Sequence, residues 1–392
     1  MRKISVVLLS LFFSHLLFAQ GTSNTVAGNN QFAFKLFAKL QSSHNLFFSP
    51  FSISSALAMT YTGAKGETQE QMKAALCFNP RADSVNMGFE KIMKTMNTDT
   101  LSGVKLCVAN SLWVENKFHF LDSYVNLVKQ YYNSEVRNVD FANESTRDTI
   151  NNWVAKRTNN KIQNLLPKKS VGAETKAVLI NTLYFYGKWA TEFQSKASYK
   201  GTFYCKTKDT VQSTFMISVN HFNYFEDEKF QIVELPYKGK SVSMLIFLPD
   251  SGTTLALALK EFTDTYYTNA IRSLQTEHVK VVLPKFKTTQ SFNLSEILKK
   301  VGMETAFTGT ADFSGMTGNK ELYISAVLHK AFIAVTEQGT EAAAATAVLM
   351  PMTSTRPTPL KTFKADHPFF FVIRENNTGS ILFMGQMNNP NH

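Results

Sequence analysis

Glu337-Gln-Gly-Thr-Glu-Ala-Ala-Ala-Ala-Thr-Ala-Val-Leu-Met350 is the stretch on which the fold turns. It is nearly free of charge and dominated by small side chains. In an extended strand alternate residues share a face. Counting by twos, Thr340, Ala342, Ala344, Thr346, Val348 and Met350 form one uncharged face, while Glu341, Ala343, Ala345 and Ala347 form the other. Such a segment can enter a packed sheet with little steric cost and keep its one charge in solvent, and Gly339 permits a turn at its base. An Ala-rich helix is the competing local reading. The next residues, Pro351-Met-Thr-Ser-Thr-Arg-Pro-Thr-Pro359, hold three prolines in nine positions. Their missing N–H groups prevent a complete ladder, so the stretch is extended and polar. A long loop of this kind in a compact domain is usually functional.

Outward from that segment, the chain of 392 residues is 44% hydrophobic and can bury a large core. Its length would allow two or three domains or a single large fold, and no repeat or Gly/Ser-rich linker divides it. The first half reads mainly helical: Phe32, Leu36, Phe37 and Leu40 recur at helical spacing, as do Ile150, Trp153 and Val154 behind a cap candidate at Ser145. Strands dominate later. Lys176-Ala-Val-Leu-Ile-Asn-Thr-Leu-Tyr-Phe-Tyr186 has the composition of a strand buried on both faces. Gln231 to Pro236 and Ser241 to Leu248 flank Lys238-Gly239-Lys240 as a hairpin, and Val279 to Leu283 and Ser380 to Met384 are further strands. This order predicts an α+β architecture with large, mostly antiparallel sheets.

Arg2 and Lys3, the apolar run from Ile4 to Phe18 and the small residues that follow have the form of a secretory signal over residues 1–19, cleaved after Ala19 or Gln20. The expected mature domain is 24–392, secreted or, in a bacterium, periplasmic. No other apolar stretch is long enough to span a bilayer, so no membrane partner is expected. Losing Arg2 and Lys3 lowers the formal charge from +11 to +9, and the surplus is dispersed. Lys168-Lys169 and Lys299-Lys300 are the densest pairs, and Lys91 and Lys94 are too sparse for a heparin helix. A solvated basic surface with at most weak polyanion binding is expected, and no nucleic acid. Cys77, Cys107 and Cys205 allow one disulfide at most and lack metal-site spacing. Asn143, Asn293 and Asn376 begin glycosylation triplets.

Enzyme motifs are missing. There is no G-x-S-x-G, no H-E-x-x-H and no phosphate-cradling loop, and Gly63 and Gly66 mark a helix end. The histidines beyond the leader, at 44, 119, 221, 278, 329, 367 and 392, have no second ligand at metal spacing in the sequence, so neither metal nor cofactor is expected. His329 lies among apolar neighbours and reads as a buried, hydrogen-bonded core residue. Glu226-Asp227-Glu228 reads as a polar turn.

At the Glu337 segment the sequence resembles the serpins, a family of suicide protease inhibitors. Glu337 to Ala345 resembles the hinge of their reactive loop. Asn45-Leu-Phe-Phe-Ser-Pro-Phe-Ser-Ile-Ser54, Asn181-Thr-Leu-Tyr-Phe-Tyr-Gly-Lys-Trp189, Ala311-Asp-Phe-Ser-Gly-Met316, Phe363-Lys-Ala-Asp-His-Pro-Phe-Phe-Phe371 and Phe383-Met-Gly385 resemble further family motifs in the family's order. The resemblance implies a single-domain serpin fold of three β-sheets with eight to nine helices, a metastable native state, and an exposed reactive-centre loop at about 337–360. It implies a monomeric inhibitor, not an enzyme, that traps a serine protease, and by extension a cysteine protease, as a covalent complex. The cut loop would then insert into the main sheet.

By the same resemblance, the hinge is Glu337, Gly339, Thr340, Ala342, Ala343, Ala344 and Ala345. Ser52, Ser54, Asn181 and His329 would form the polar cluster under the opening sheet, with Trp189 where the loop enters. In the family, the residue before the cut is usually the seventeenth from the hinge Glu. That makes Thr353–Ser354 the reactive bond, suited to elastase-like or subtilisin-like pockets. Met352 is the runner-up, and Arg356 a third choice disfavoured by Pro357. Hinge residues that are small and uncharged on the inward face favour inhibition over the alternative, a serpin-fold carrier or chaperone.

Overall fold

Ser49 and Pro50 start the most enclosed helix of the chain. The Ser49 side chain accepts from the Ser52 N–H, and Pro50 fills the first turn, where an N–H would go unpaired anyway. The helix is enclosed on all sides, and every residue from Pro50 to Gly63 except Thr62 is buried. In the computed structural model, which describes residues 24–78, 82–97, 103–205, 209–250, 252–340 and 359–391, this helix is α2. The others are α1 (24–40), α3 (Gly66–Ala75), α4 (Ala82–Asn97), α5 (Asp122–Tyr132), α6 (Glu144–Arg157), α7 (Leu255–Ala258), α8 (Asp264–Arg272), α9 (Ser295–Val301) and α10 (Ser314–Thr317). Among the described residues no helix is long and apolar enough to cross a membrane.

The strands form two hydrogen-bonded sheets. The larger runs in the order β1 (Leu46–Phe48), β15 (Ile381–Met387), β14 (Phe369–Glu375), β8 (Val242–Pro249), β7 (Phe230–Pro236), β6 (Thr210–Glu226), β9 (Gln275–Pro284), β13 (Lys361–Lys364), with β5 (Tyr199–Tyr204) also on β6. β6 is the join: Asn223–Glu226 pairs with β7, while Phe215–Tyr224 pairs with β9. This one long strand merges what would otherwise be counted as two of three sheets. The smaller sheet runs β10 (Phe286–Asn293), β11 (Ala326–Thr336), β12 (Gly339–Thr340), β4 (Ala177–Lys188), β2 (Val104–Glu115), β3 (Glu135–Val139).

The smaller sheet is covered on both faces. Leu179, Leu183 and Phe185 of β4 join the main core, which also holds α2 and the inner face of the larger sheet. Val178, Ile180 and Tyr184 point the other way, packing with Trp113, Phe332 and the Ile150 and Val154 side chains of α6. Alternating residues of one strand thus serve two apolar clusters, which explains the near-continuous apolar run of β4. The main core is rich in phenylalanine; Phe47 stacks on Phe383 at 5.0 Å, and Phe37 meets Phe370 at 4.8 Å.

Local readings fare unevenly. The predicted hairpin is β7–β8, turning through Gly239 and Lys240 with φ of 86° and 59°. Asp227 turns β6 into β7, its carboxylate accepting from the Lys229 and Phe230 N–H groups. The cap of α6 is Asn143, whose side chain accepts from the Ser145 N–H, so Ser145 lies two residues inside the position expected for it. The first half is also less helical than its pattern: it contains β2 and β3, which complete the smaller sheet.

Candidate functional site

The base of the Glu337 segment lies inside the smaller sheet. From Ala326 to Phe332, β11 pairs directly with Val178 to Tyr184 of β4, and the two run parallel. Above that level the strands part, and β12 fills the gap. Thr340 stands opposite Val335 on β11 and opposite Gly187 on β4, antiparallel to both. Two residues therefore act as a wedge between parallel neighbours.

Each wedge residue is fitted to its place. Gly339 has a φ of 152°, and a Cβ there would come within 2.1 Å of the Gly187 carbonyl oxygen, so only glycine passes. Thr340 is fully buried, and its hydroxyl lies 2.7 Å from the Tyr237 hydroxyl. Burial pushes the Tyr237 phenol up, which keeps it neutral. Trp189 stacks on Tyr237 with ring centroids 4.5 Å apart, and its indole N–H donates to the Thr336 carbonyl at 3.0 Å. Its backbone N–H donates to the Gln338 carbonyl. Glu337 is buried, which opposes its charge. Its own backbone N–H, Lys285 at 3.0 Å and the Ser198 hydroxyl at 2.9 Å together hold the carboxyl below the ordinary range.

One level down, where the strands still touch, lies a buried polar cluster. Asn181 on β4 and His329 on β11 are register partners. The Asn181 Oδ1 and His329 Nδ1 lie 2.6 Å apart, and the Ser49 N–H donates to His329 Nε2 at 3.1 Å. Nε2 must then be the bare nitrogen and Nδ1 the donor. Burial drives the imidazole down to about 3, against a smaller upward pull from Asn181, so it is neutral. The Asn181 amide nitrogen donates to the Ser52 carbonyl and hydroxyl and to the Asn110 side chain, and Asn110 in turn donates to the Ser55 hydroxyl at 2.8 Å. A network this complete in a dry setting is stable while whole and expensive when half broken.

Of the residues singled out from sequence, Ser52, Asn181 and His329 come together here, and Trp189, Glu337, Gly339 and Thr340 come together at the wedge. Ser54 is buried, but its hydroxyl has no hydrogen-bond partner; it packs without joining the network. Ala342, Ala343, Ala344, Ala345, Met352, Thr353 and Ser354 lie outside the described residues. Sequence reading missed Ser49, Asn110, Ser198, Tyr237 and Lys285. Their roles depend on chain neighbours 50 to 280 positions away; Ser49 stands in the quoted 45–54 motif but acts through its backbone N–H, and the other four stand in none of the quoted motifs. Cys77 and Cys205 are free thiols. Among the described residues no group of three His, Cys, Asp or Glu could hold a metal ion.

The sequence profile of a family described as Serpin (serine protease inhibitor) matches residues 27–390. Human Serpin B3 is 38% identical, the alignment covering 92% of this chain and 98% of that protein. The leukocyte elastase inhibitor of Bos taurus is 39% identical over 93% of this chain and 99% of that one. The crystal structure of human thyroxine-binding globulin superposes with a TM-score of 0.87 at 28% identity, covering 95% of this chain and all of that one.

Two predictions follow from the geometry. Glu337→Lys would set two cations together at the wedge and lower stability by about 2 kcal/mol, less than a fully buried pair because Lys285 is 39% exposed. Adding Lys285→Glu should restore most of the loss in chemical denaturation; no recovery in the double variant would mean that the pair does not hold the wedge. The second concerns pH. The unfolded chain protonates His329 near pH 6.5, whereas the folded cluster resists until about 3, so stability falls as pH drops through that window. Between pH 8 and pH 5 this amounts to about 2 kcal/mol. His329→Gln, measured by denaturant midpoint, should show a correspondingly flatter pH profile, and parallel profiles would contradict the assignment.

Proposed function

The chain belongs to the serpin family, and we propose that it is a secreted suicide inhibitor of serine proteases. The observation that carries the reading is the two-residue wedge: the base of the reactive loop is already a strand of the sheet that the rest of the loop would complete. If the register of β12 continues, residue 343 comes opposite Phe332 and Tyr184, and residue 349 opposite Ala326 and Val178. Residues 343–349 would thus replace the whole parallel contact between β11 and β4 with two antiparallel ones, the more stable pairing per residue. Thr346 would arrive between His329 and Asn181, offering a hydroxyl to the polar cluster that insertion disturbs.

The composition of the segment supports the same reading. Thr340, Ala342, Ala344, Thr346, Val348 and Met350 would face the main core. Ala343 and Ala347 would face the apolar cluster beneath α6, since their register partners Phe332, Tyr184 and Ile180 belong to it. Methyl-sized side chains on that side let the strand slide under a helix, a more specific requirement than facing solvent.

In the proposed mechanism the protease serine attacks the carbonyl of Thr353, an acyl ester forms, and the amine of Ser354 leaves. Insertion then drags the ester-linked protease across the molecule. Displacement of the oxyanion donors, each worth about 10²–10³ in rate, stalls hydrolysis. Met352 is the second candidate for the acyl donor. The small β-branched Thr353 suits elastase-like or subtilisin-like pockets, and one relative is named as an inhibitor of leukocyte elastase. The apolar leader at 4–18 supports secretion. The protein acts as a monomer whose partner is the target protease. The match to thyroxine-binding globulin favours a second reading, a carrier that traps no protease.

Incubation with elastase and subtilisin, followed by denaturing gels and mass spectrometry, tests the proposal. A complex that survives denaturant, with a released peptide beginning at Ser354, is expected. Cleavage without any complex would favour the carrier. Thr340→Arg buries a charge beside Tyr237 and should turn the inhibitor into a substrate, with the stable complex falling at least about tenfold. Unchanged trapping would refute insertion. Thr353→Arg should redirect the loop to trypsin, and no such shift would place the scissile bond elsewhere.

A further inference from the structure

The larger sheet carries a feature that loop insertion does not use. His221 on β6 and His278 on β9 are direct register partners in an antiparallel ladder. Partners of this kind project from the same face with Cβ atoms about 4.5–5.5 Å apart. The two imidazole rings lie 5.2 Å apart between centroids, with 22° between their planes. His221 is exposed and His278 half-buried, so the pair opens to solvent.

We propose that His221 and His278 form a two-histidine site for a divalent transition-metal cation of the Cu²⁺ or Zn²⁺ class. Imidazole nitrogen suits these ions and ligates them at about 2.0–2.1 Å. Rotation of each ring about its side-chain bonds turns one nitrogen of each towards a shared point above the sheet, and solvent on the open side supplies the remaining ligands. The backbone needs no movement, because the ladder already sets the spacing. The surroundings leave the site to the two histidines. In the next register pair, Asn223 and Thr276 are occupied with each other at 3.0 Å, and Asn223 also donates to Glu234. In the pair on the other side stand Val219 and Lys280, whose aliphatic and cationic groups do not ligate. Neither His221 nor His278 has a side-chain hydrogen bond or ion pair that ligation would break.

The position gives such an ion a consequence. It would clamp β6 to β9, the strand that holds β13 through Lys361 opposite Val279, immediately beside His278. β13 is the first strand after residues 341–358 in the sequence. Metal binding at this corner would therefore stiffen the anchor of the segment's C-terminal side, independently of whether that segment traps a protease.

The test uses the full mature chain without a histidine tag and Cu²⁺ as the probe, followed by isothermal titration calorimetry. One saturable site is expected, weakened at least tenfold in His221→Ala and in His278→Ala and unchanged in the exposed control His119→Ala. The double variant should bind no more weakly than the weaker single one. Both positions are on the surface, so circular dichroism of the variants should match that of the parent. As a second readout, Cu²⁺ should raise the denaturant midpoint of the parent and of His119→Ala but not of the other variants. Saturable binding that survives both single substitutions, or no saturable binding by the parent, would overturn the proposal.

Discussion

Two strands that run parallel, β11 and β4, touch over seven residue pairs and then part to admit Gly339 and Thr340. Nearly everything else about the molecule can be understood as holding that arrangement in place. A parallel contact in the middle of a sheet is the weaker pairing, and an antiparallel strand threaded between the same neighbours would improve it. On the proposed reading, the weaker pairing persists because the strand that would replace it is joined to the body at both ends, through β12 and β13.

The cost of parting the strands is concentrated in two places. At the level of His329 and Asn181, opening the sheet threatens a dry network in which the Asn181 amide, the Ser52 oxygens and the Ser49 N–H are all committed. At the top, Glu337, Lys285 and Ser198 with the Trp189–Tyr237 stack fix the first inserted residues. Polar groups at these two levels and apolar contacts between them make parting the strands costly at defined points.

Much of this is legible in the residues. The β4 run is apolar because alternate side chains serve two clusters. The β7–β8 hairpin follows from its glycine turn. What escapes sequence reading does so for physical reasons. β2 mixes Lys105, Asn110, Ser111 and Trp113 in an order that neither period describes, because one face carries the polar cluster and the other packs under α6. Ser49 outdoes Ser54 in the network through its backbone N–H, a donor that every residue type except proline has. Lys285 is one lysine among many until the chain folds it against Glu337. The second face of the Glu337 segment reads as solvent in the sequence, whereas that face of the smaller sheet packs under α6.

Tethered metastability is most directly tested by comparing thermal unfolding of the intact protein with that of protein nicked within residues 351–358 by a metalloprotease, which forms no acyl-enzyme. If the freed segment completes the sheet, the gain of several kcal/mol should raise the transition by at least about 10 °C. A nicked form that unfolds at the same temperature as the intact protein, or below it, would contradict the account.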